Sequence, residues 1–176
     1  VSSVDPKLLN SYVAVKEGDN IVDLRDVPAD GASVELVGIE SIEALHVLRH
    51  TATHIMAEAV KHLFPEAKLT IGPATETGFF YDFEGAPFTK ENLEAIEKEM
   101  KKIIKSSPRI ERQVVTREEA IAMMKAKNEP YKLELIDAIP DDDRITVYSQ
   151  DDFADLCMGP HLLNTRLIKG FKLLST

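Results

Sequence analysis

Between Ser41 and Pro65, apolar residues recur at helical spacing: Ile42, Leu45, Leu48, Ala52, Ile55, Met56, Ala59 and Leu63. That period predicts a helix buried along this stripe, with Ser41 as N-cap, Glu43 in the first turn and Pro65 as terminator. A second helix is predicted from Thr89, with Leu93, Ile96, Met100, Ile103 and Ile104 on its apolar face. Lys98, Lys101, Lys102 and Lys105 fall off that face, as a solvated surface or a phosphate-facing patch. Thr116-Arg117-Glu118-Glu119 forms a capping box and starts a short helix through Ala120, Ile121 and Met124.

Elsewhere the period shortens to two. Val13-Ala14-Val15 and Ile21-Val22-Asp23-Leu24 flank a polar turn containing Gly18, the pattern of a hairpin. Val34, Leu36 and Ile39 continue the strand pattern. Leu69–Pro73 and Gly78–Phe83 read as two strands, with Tyr81 on the opposite face from Phe80. Ile110–Val115 and Tyr131–Ile136 read as strands, and Thr146–Tyr148, Phe153–Cys157 and Gly170–Leu174 complete the series. Lys132, within the otherwise apolar Tyr131–Ile136, is either an exposed-face lysine or one aimed into a pocket. The order lacks a regular βαβ alternation, so the expected class is α+β, a mostly antiparallel sheet with helices packed on it.

The chain has 176 residues, 44% of them apolar, which suits one medium domain or one domain with an appendage. No apolar run approaches the roughly 18 residues a membrane span requires. A single cysteine excludes an internal disulfide and fits a reducing, cytoplasmic setting. The net charge of −9 argues against nucleic-acid binding over the whole surface, so any such contact uses a local patch or leaves most of the grip to residues outside this chain.

The candidate chemistry lies in two short motifs. His50-Thr51-Ala52-Thr53-His54 places two imidazoles on one helical face. Cys157-Met158-Gly159-Pro160-His161 repeats the offset, but Gly159 and Pro160 make it a turn. Together they offer three imidazoles and a thiol, either a tetrahedral zinc site or a general-base pocket. His46 and His62 read as ordinary surface or core histidines.

Leu48–His54, Gly78–Asp82, Tyr131-Lys132 and Asp155–His161 resemble, in order and spacing, the editing module of bacterial-type threonyl-tRNA synthetases, and Phe171–Ser175 resembles the segment just after it. The paired His and Cys/His motifs are shared with alanyl-tRNA synthetase and its free-standing editing relatives. Phe79–Asp82 and Phe171–Leu174 favour the threonine branch. Residues 41–176 correspond to the editing domain, and residues 1–40 to the C-terminal part of a small β-grasp TGS domain. Met158 stands where the family has arginine, which removes a basic contact beside the pocket.

The resemblance implies hydrolysis of the ester of mischarged Ser-tRNA(Thr), in a fragment of a threonine-tRNA ligase without its aminoacylation domain. It implies His50 and Lys132 as catalytic groups, Tyr81 and Asp155 as substrate-binding groups, and His54, Cys157 and His161 as the rest of the catalytic pocket. The expected partners are the tRNA(Thr) acceptor end carrying serine and the remainder of the synthetase, with no membrane. No cofactor is expected for editing, ATP and a catalytic zinc belonging to the aminoacylation domain. Zinc on His50, His54, Cys157 and His161 is the alternative. The competing functions are a free-standing alanine-type zinc deacylase and a tRNA-binding module with a relic pocket.

Overall fold

The computed structural model describes residues 6–85 and 88–176 and is α+β, with four helices and antiparallel sheets. After a 3-10 turn at Pro6–Asn10, β1 (Tyr12–Glu17), β2 (Asn20–Val22) and β3 (Val34–Gly38) form a sheet in the order β2-β1-β3. The hairpin of β1 and β2 aligns Val15 with Val22, and Gly18 turns the corner at a φ of 60°. β4 (Lys68–Leu69) and β5 (Phe83–Glu84) form a two-stranded pair. β6 (Glu111–Val115), β7 (Ile145–Gln150) and β8 (Phe153–Leu156) form the third sheet, with β7 central. The expected continuous sheet is therefore three small ones, because the connections between them are helices rather than tight turns.

α1 (Ile42–Leu63) is capped as expected, Ser41 Oγ accepting from Ala44 N. Its buried stripe is corrected at both ends: Ile42 is 84% exposed, Leu45 42% and Leu63 38%. From Thr51 to Val60 every residue is buried, so the middle of α1 is enclosed on all sides. One side packs on α2 (Lys90–Ser106) through Ile96, Met100 and Ile103. α2 begins at a Thr89–Asn92 capping box and ends at Ser107 in the left-handed region. On its outer face Lys102 pairs with Glu99 and Lys101 with Glu97.

α3 (Arg117–Ala126) begins at the expected Thr116–Glu119 box. Tyr131–Ile136, expected as a strand, lies instead in α4 (Pro130–Ala138). Pro130 occupies the first helical turn, where its missing N–H costs nothing. The residues it buries, Lys132 and Ile136, are four apart, so the helical period overrides the apparent alternation of Tyr131, Leu133 and Leu135. Ala120, Met124, Ile136 and Ile145 form a small core between α3, α4 and β7.

Val13, Ala14 and Val37 of the first sheet belong to the same buried cluster as Ile55, Val60 and Ile103. Gly170–Leu174 pairs with no strand among the described residues. Phe171 packs on the main core, while Leu173 N donates to Glu97 Oε1 at 2.9 Å. Among the described residues no helix is long and apolar enough to cross a membrane.

Candidate active site

α1 supplies His50 and His54 one turn apart, with ring centroids 5.8 Å from each other. β8 alternates, so Phe153 and Asp155 are buried on one face, while Ala154 and Leu156 lie on the other, Leu156 against the α3–α4 core. Cys157 follows β8 on the Asp155 side, and the loop beyond it returns His161 to α1. The His161 ring centroid lies 4.2 Å from that of His50 and 4.1 Å from that of His54. Cys157 Sγ sits 3.3 Å from His50 Nε2 and 3.2 Å from His161 Nε2. The two motifs, separated by a hundred residues, therefore converge.

A second group borders the first. Tyr81 Oη donates to Asp155 Oδ2 at 2.7 Å, and Lys132 Nζ lies 2.8 Å from Asp155 Oδ1 and 3.1 Å from Tyr81 Oη. Asp155 Oδ2 is 4.0 Å from His54 Nε2, which links the two groups. Lys132 is 2% exposed and Asp155 1%, so the lysine is not a strand-face residue in water. An isolated buried ammonium or carboxylate is prohibitively costly, and pairing is what permits either here.

Burial sets the charge states. Desolvation, with the His46 charge adding to it, lowers the His50 pKa from 6.5 to about 4. Desolvation takes His54 to about 3 against the opposing pull of Asp155, and it places His161 well below its ordinary value. The Cys157 thiol is pushed up to about 12, again mainly by burial. Near neutral pH the cluster is three neutral imidazoles and a protonated thiol. His50 and Cys157 are its partly open members, whereas His54 and His161 are buried. Met158, beside them, is 87% exposed and makes no wall.

The cluster also fits a metal. One donor atom from each of His50, His54, Cys157 and His161 lies within 4.8 Å of the others, which suits a tetrahedral zinc ion with N and S ligands. Four protein ligands would close its coordination shell, as in a structural site.

Several residues that hold the cluster carry no motif. Thr51 Oγ1 accepts from Leu162 N at 3.0 Å and lies 3.3 Å from His161 Nδ1, so His161 is held at both ring nitrogens. Asp23, in the loop after β2 and 2% exposed, accepts from His161 N at 3.1 Å and from Tyr148 Oη at 3.0 Å. Arg25 grips both Asp23 oxygens through Nη1, at 2.8 and 2.9 Å, and donates through Nη2 to the carbonyls of Ile110 and Leu162. The first sheet thus clamps the loop that presents His161. Gly159 is required beneath it: its φ is 75°, and a Cβ there would lie 2.1 Å from Tyr148 Oη. Asp23 and Arg25 stand in an ordinary post-hairpin turn, with nothing local to single them out.

A large cavity of about 780 Å³ runs between α1, the Thr77–Phe83 segment and the C-terminal Leu167–Thr176. Its lining is mostly apolar, with Arg49, Asp82, Lys169 and Lys172 among it, and it shares Tyr81 with the site.

Residues 145–176, which supply β7, β8 and the Cys157–His161 loop, match the family described as the threonyl and alanyl tRNA synthetase second additional domain. Over nearly its whole length the chain is similar to threonine--tRNA ligases. It is 50% identical to that of Geobacter sp. (strain M21) over 99% of this chain and 27% of the relative. The ligase of Caldanaerobacter subterraneus subsp. tengcongensis is 47% identical over 98% of this chain and 27% of the relative. A Clostridium botulinum ligase is 48% identical with the same two coverages. The chain spans about a quarter of the length of these curated relatives, and the resemblance drawn from the motifs is borne out.

Proposed function

We propose that the chain is the editing module of a threonine-tRNA ligase and hydrolyses the ester of mischarged Ser-tRNA(Thr). The observation that carries this reading is the convergence of three neutral imidazoles and a thiol on the buried Tyr81–Lys132–Asp155 group. The chain that builds it is half identical to threonine--tRNA ligases. The domain division, residues 1–40 from a TGS domain and 41–176 for editing, belongs to the same proposal, as do a cytoplasmic setting and the rest of the synthetase as partner.

A synthetic site for threonine meets serine as a substrate lacking one methyl, and a methyl is worth only roughly 1–3 kcal/mol. Binding alone therefore discriminates by about 10–200-fold, and a second site that hydrolyses the smaller product supplies the rest. Here water attacks the ester carbonyl carbon, a tetrahedral oxyanion forms, and the ribose oxygen leaves with a proton. His50, partly open and held neutral, orients and deprotonates the water. Lys132 contributes positive charge where the oxyanion develops. Asp155, together with Tyr81, receives the substrate's α-ammonium. Both Asp155 oxygens are already engaged, so the ammonium joins an existing network rather than a free carboxylate. His54, Cys157 and His161 shape a wall against the additional methyl of threonine.

The reaction is proposed to run without metal. Zinc held by His50, His54, Cys157 and His161 would supply Lewis acidity, but with its shell closed it would hold those side chains rather than a water. That cluster is also what favours the second reading, an alanine-type zinc deacylase. The test is deacylation of Ser-tRNA(Thr) and Ser-tRNA(Ala) by metal-analysed protein with and without chelator. Hydrolysis of Ser-tRNA(Thr) that survives chelation supports the first reading. Chelator-sensitive hydrolysis of Ser-tRNA(Ala) supports the second, and binding of tRNA without hydrolysis of either supports a relic pocket.

A further inference from the structure

α1 continues its four-residue spacing past the active-site cluster, from His54 to Glu58 and His62. Glu58 is 1% exposed. Its Oε2 accepts from Gln150 Nε2, but Oε1 is buried with no hydrogen-bond partner among the described residues. That oxygen points towards His62 Nε2, 3.9 Å away. The same nitrogen lies 3.2 Å from Asp152 Oδ1 in the turn between β7 and β8. Donor atoms of Glu58, His62 and Asp152 all lie within 4.8 Å of one another and border a cavity of about 260 Å³.

We propose that Glu58, His62 and Asp152 bind a divalent transition-metal ion, zinc being the best match, at a site separate from the His50–His161 cluster. One imidazole and two carboxylates at this spacing suit a metal about 2.0–2.2 Å from each, with a fourth position for water. The surroundings are those of a metal site. His62 Nδ1 lies 3.3 Å from Glu99 Oε1, the carboxylate that orients a ligating histidine through its far nitrogen. Lys102 fixes Glu99 in turn, and Gln150 fixes Glu58. Four elements, α1, α2, the end of β7 and the β7–β8 turn, thus supply ligands and their supports.

The electrostatics agree. Burial raises the Glu58 pKa from 4.5 to about 7, the mark of a carboxylate without an adequate counter-ion. The groups around His62 are Glu58, Glu99 and Asp152, Asp151 acts on Glu58, Lys102 lies beside Glu99, and Lys61 and Lys127 stand at the cavity wall. His62 is desolvated, yet its pKa rises through its bonds to Asp152 and Glu99. A ligating imidazole must be neutral and a ligating carboxylate ionised, so metal affinity increases with pH.

The test uses the Cys157→Ala protein, in which the other cluster has lost its thiolate ligand. Metal-free protein is titrated with zinc against a chromophoric chelator at mildly alkaline pH, then loaded with cobalt for absorption spectroscopy. The expected result is one equivalent of zinc, with no thiolate-to-metal band in the cobalt spectrum. Adding His62→Ala or Asp152→Ala abolishes the binding, and Glu99→Gln weakens it about 10–100-fold. Asp152 has a side chain 80% exposed, so its variant folds and keeps the test decisive. Absence of zinc binding by the Cys157→Ala protein, or unchanged affinity after His62→Ala and Asp152→Ala, overturns the proposal. The readout is metal occupancy, so failure of the editing reading leaves it untouched.

Discussion

The middle and the C-terminal end of α1 carry histidines on one four-residue series, His50 and His54 and then His62, and their protonation is pushed in opposite directions. At His50 and His54 burial dominates and holds both imidazoles neutral, at about 4 and about 3. Two turns on, His62 is partly open between Glu58, Glu99 and Asp152, and its pKa is raised. Helical geometry is common to both regions. What differs is what the rest of the fold places opposite: other imidazoles, a thiol and apolar walls in the middle, carboxylates at the C-terminal end. The first arrangement suits a site that needs an unprotonated base, the second a site that attracts cations.

Removal of the outside support should separate the two regions most sharply. Asp23→Ala leaves the Arg25 guanidinium without its carboxylate and releases His161 N and Tyr148 Oη. Breaking such a buried pair costs about 3–5 kcal/mol, which urea denaturation reads directly. A loss below about 1 kcal/mol would show that the clamp does not hold the His161 loop.

Lys132→Ala and Asp155→Ala come next. Each strands a buried opposite charge, so each should destabilise the protein by about 3–5 kcal/mol, and the double variant by less than the sum. Among molecules still folded, Ser-tRNA(Thr) hydrolysis should fall about 10- to 150-fold, the worth of a charge-assisted contact of about 1.5–3 kcal/mol. Wild-type rates in both would confine the chemistry to the histidines and Cys157.

Acid should sharpen the comparison. The pKa values of His50 and His54 are lowered by folding, so their neutral burial stabilises fully above about 6.5, and that stability is lost as pH falls towards about 4 and about 3. Glu58 has the opposite sign. Its raised pKa gives stability present below about 4.5 and lost as pH rises through about 7. Glu58→Gln should flatten the upper limb of the stability profile and leave the acid limb unchanged. Deacylation by the wild type should show no inflection near 6.5, and an inflection there would mean that the working imidazole is not His50 with its lowered pKa.

The smallest effect is expected at His62. In metal-free protein His62→Ala should change stability within about 0.5 kcal/mol, as surface substitutions do, because its ion pairs are partly exposed. A larger loss would make this end of α1 as dependent on its partners as the middle.

Much of this was legible in the order of residues. Caps at Ser41, Thr89 and Thr116, the stop before Pro65 and the β1–β2 hairpin are local events, and local periodicity encodes them. The histidine pair on one face of α1 follows from spacing alone, and the Gly159 turn from composition. Tyr131–Ile136 was misread because six residues are too short for periodicity to separate a strand from a helix. The tertiary structure alone decided that Lys132 is buried against Asp155, that Asp23 reaches His161, and that Glu58 and His62 meet Asp152. Each of those is a pairing across 23 or more positions between charged or polar groups. A charge carries no local mark of its eventual partner, and its cost or benefit is set only when folding removes the water around it.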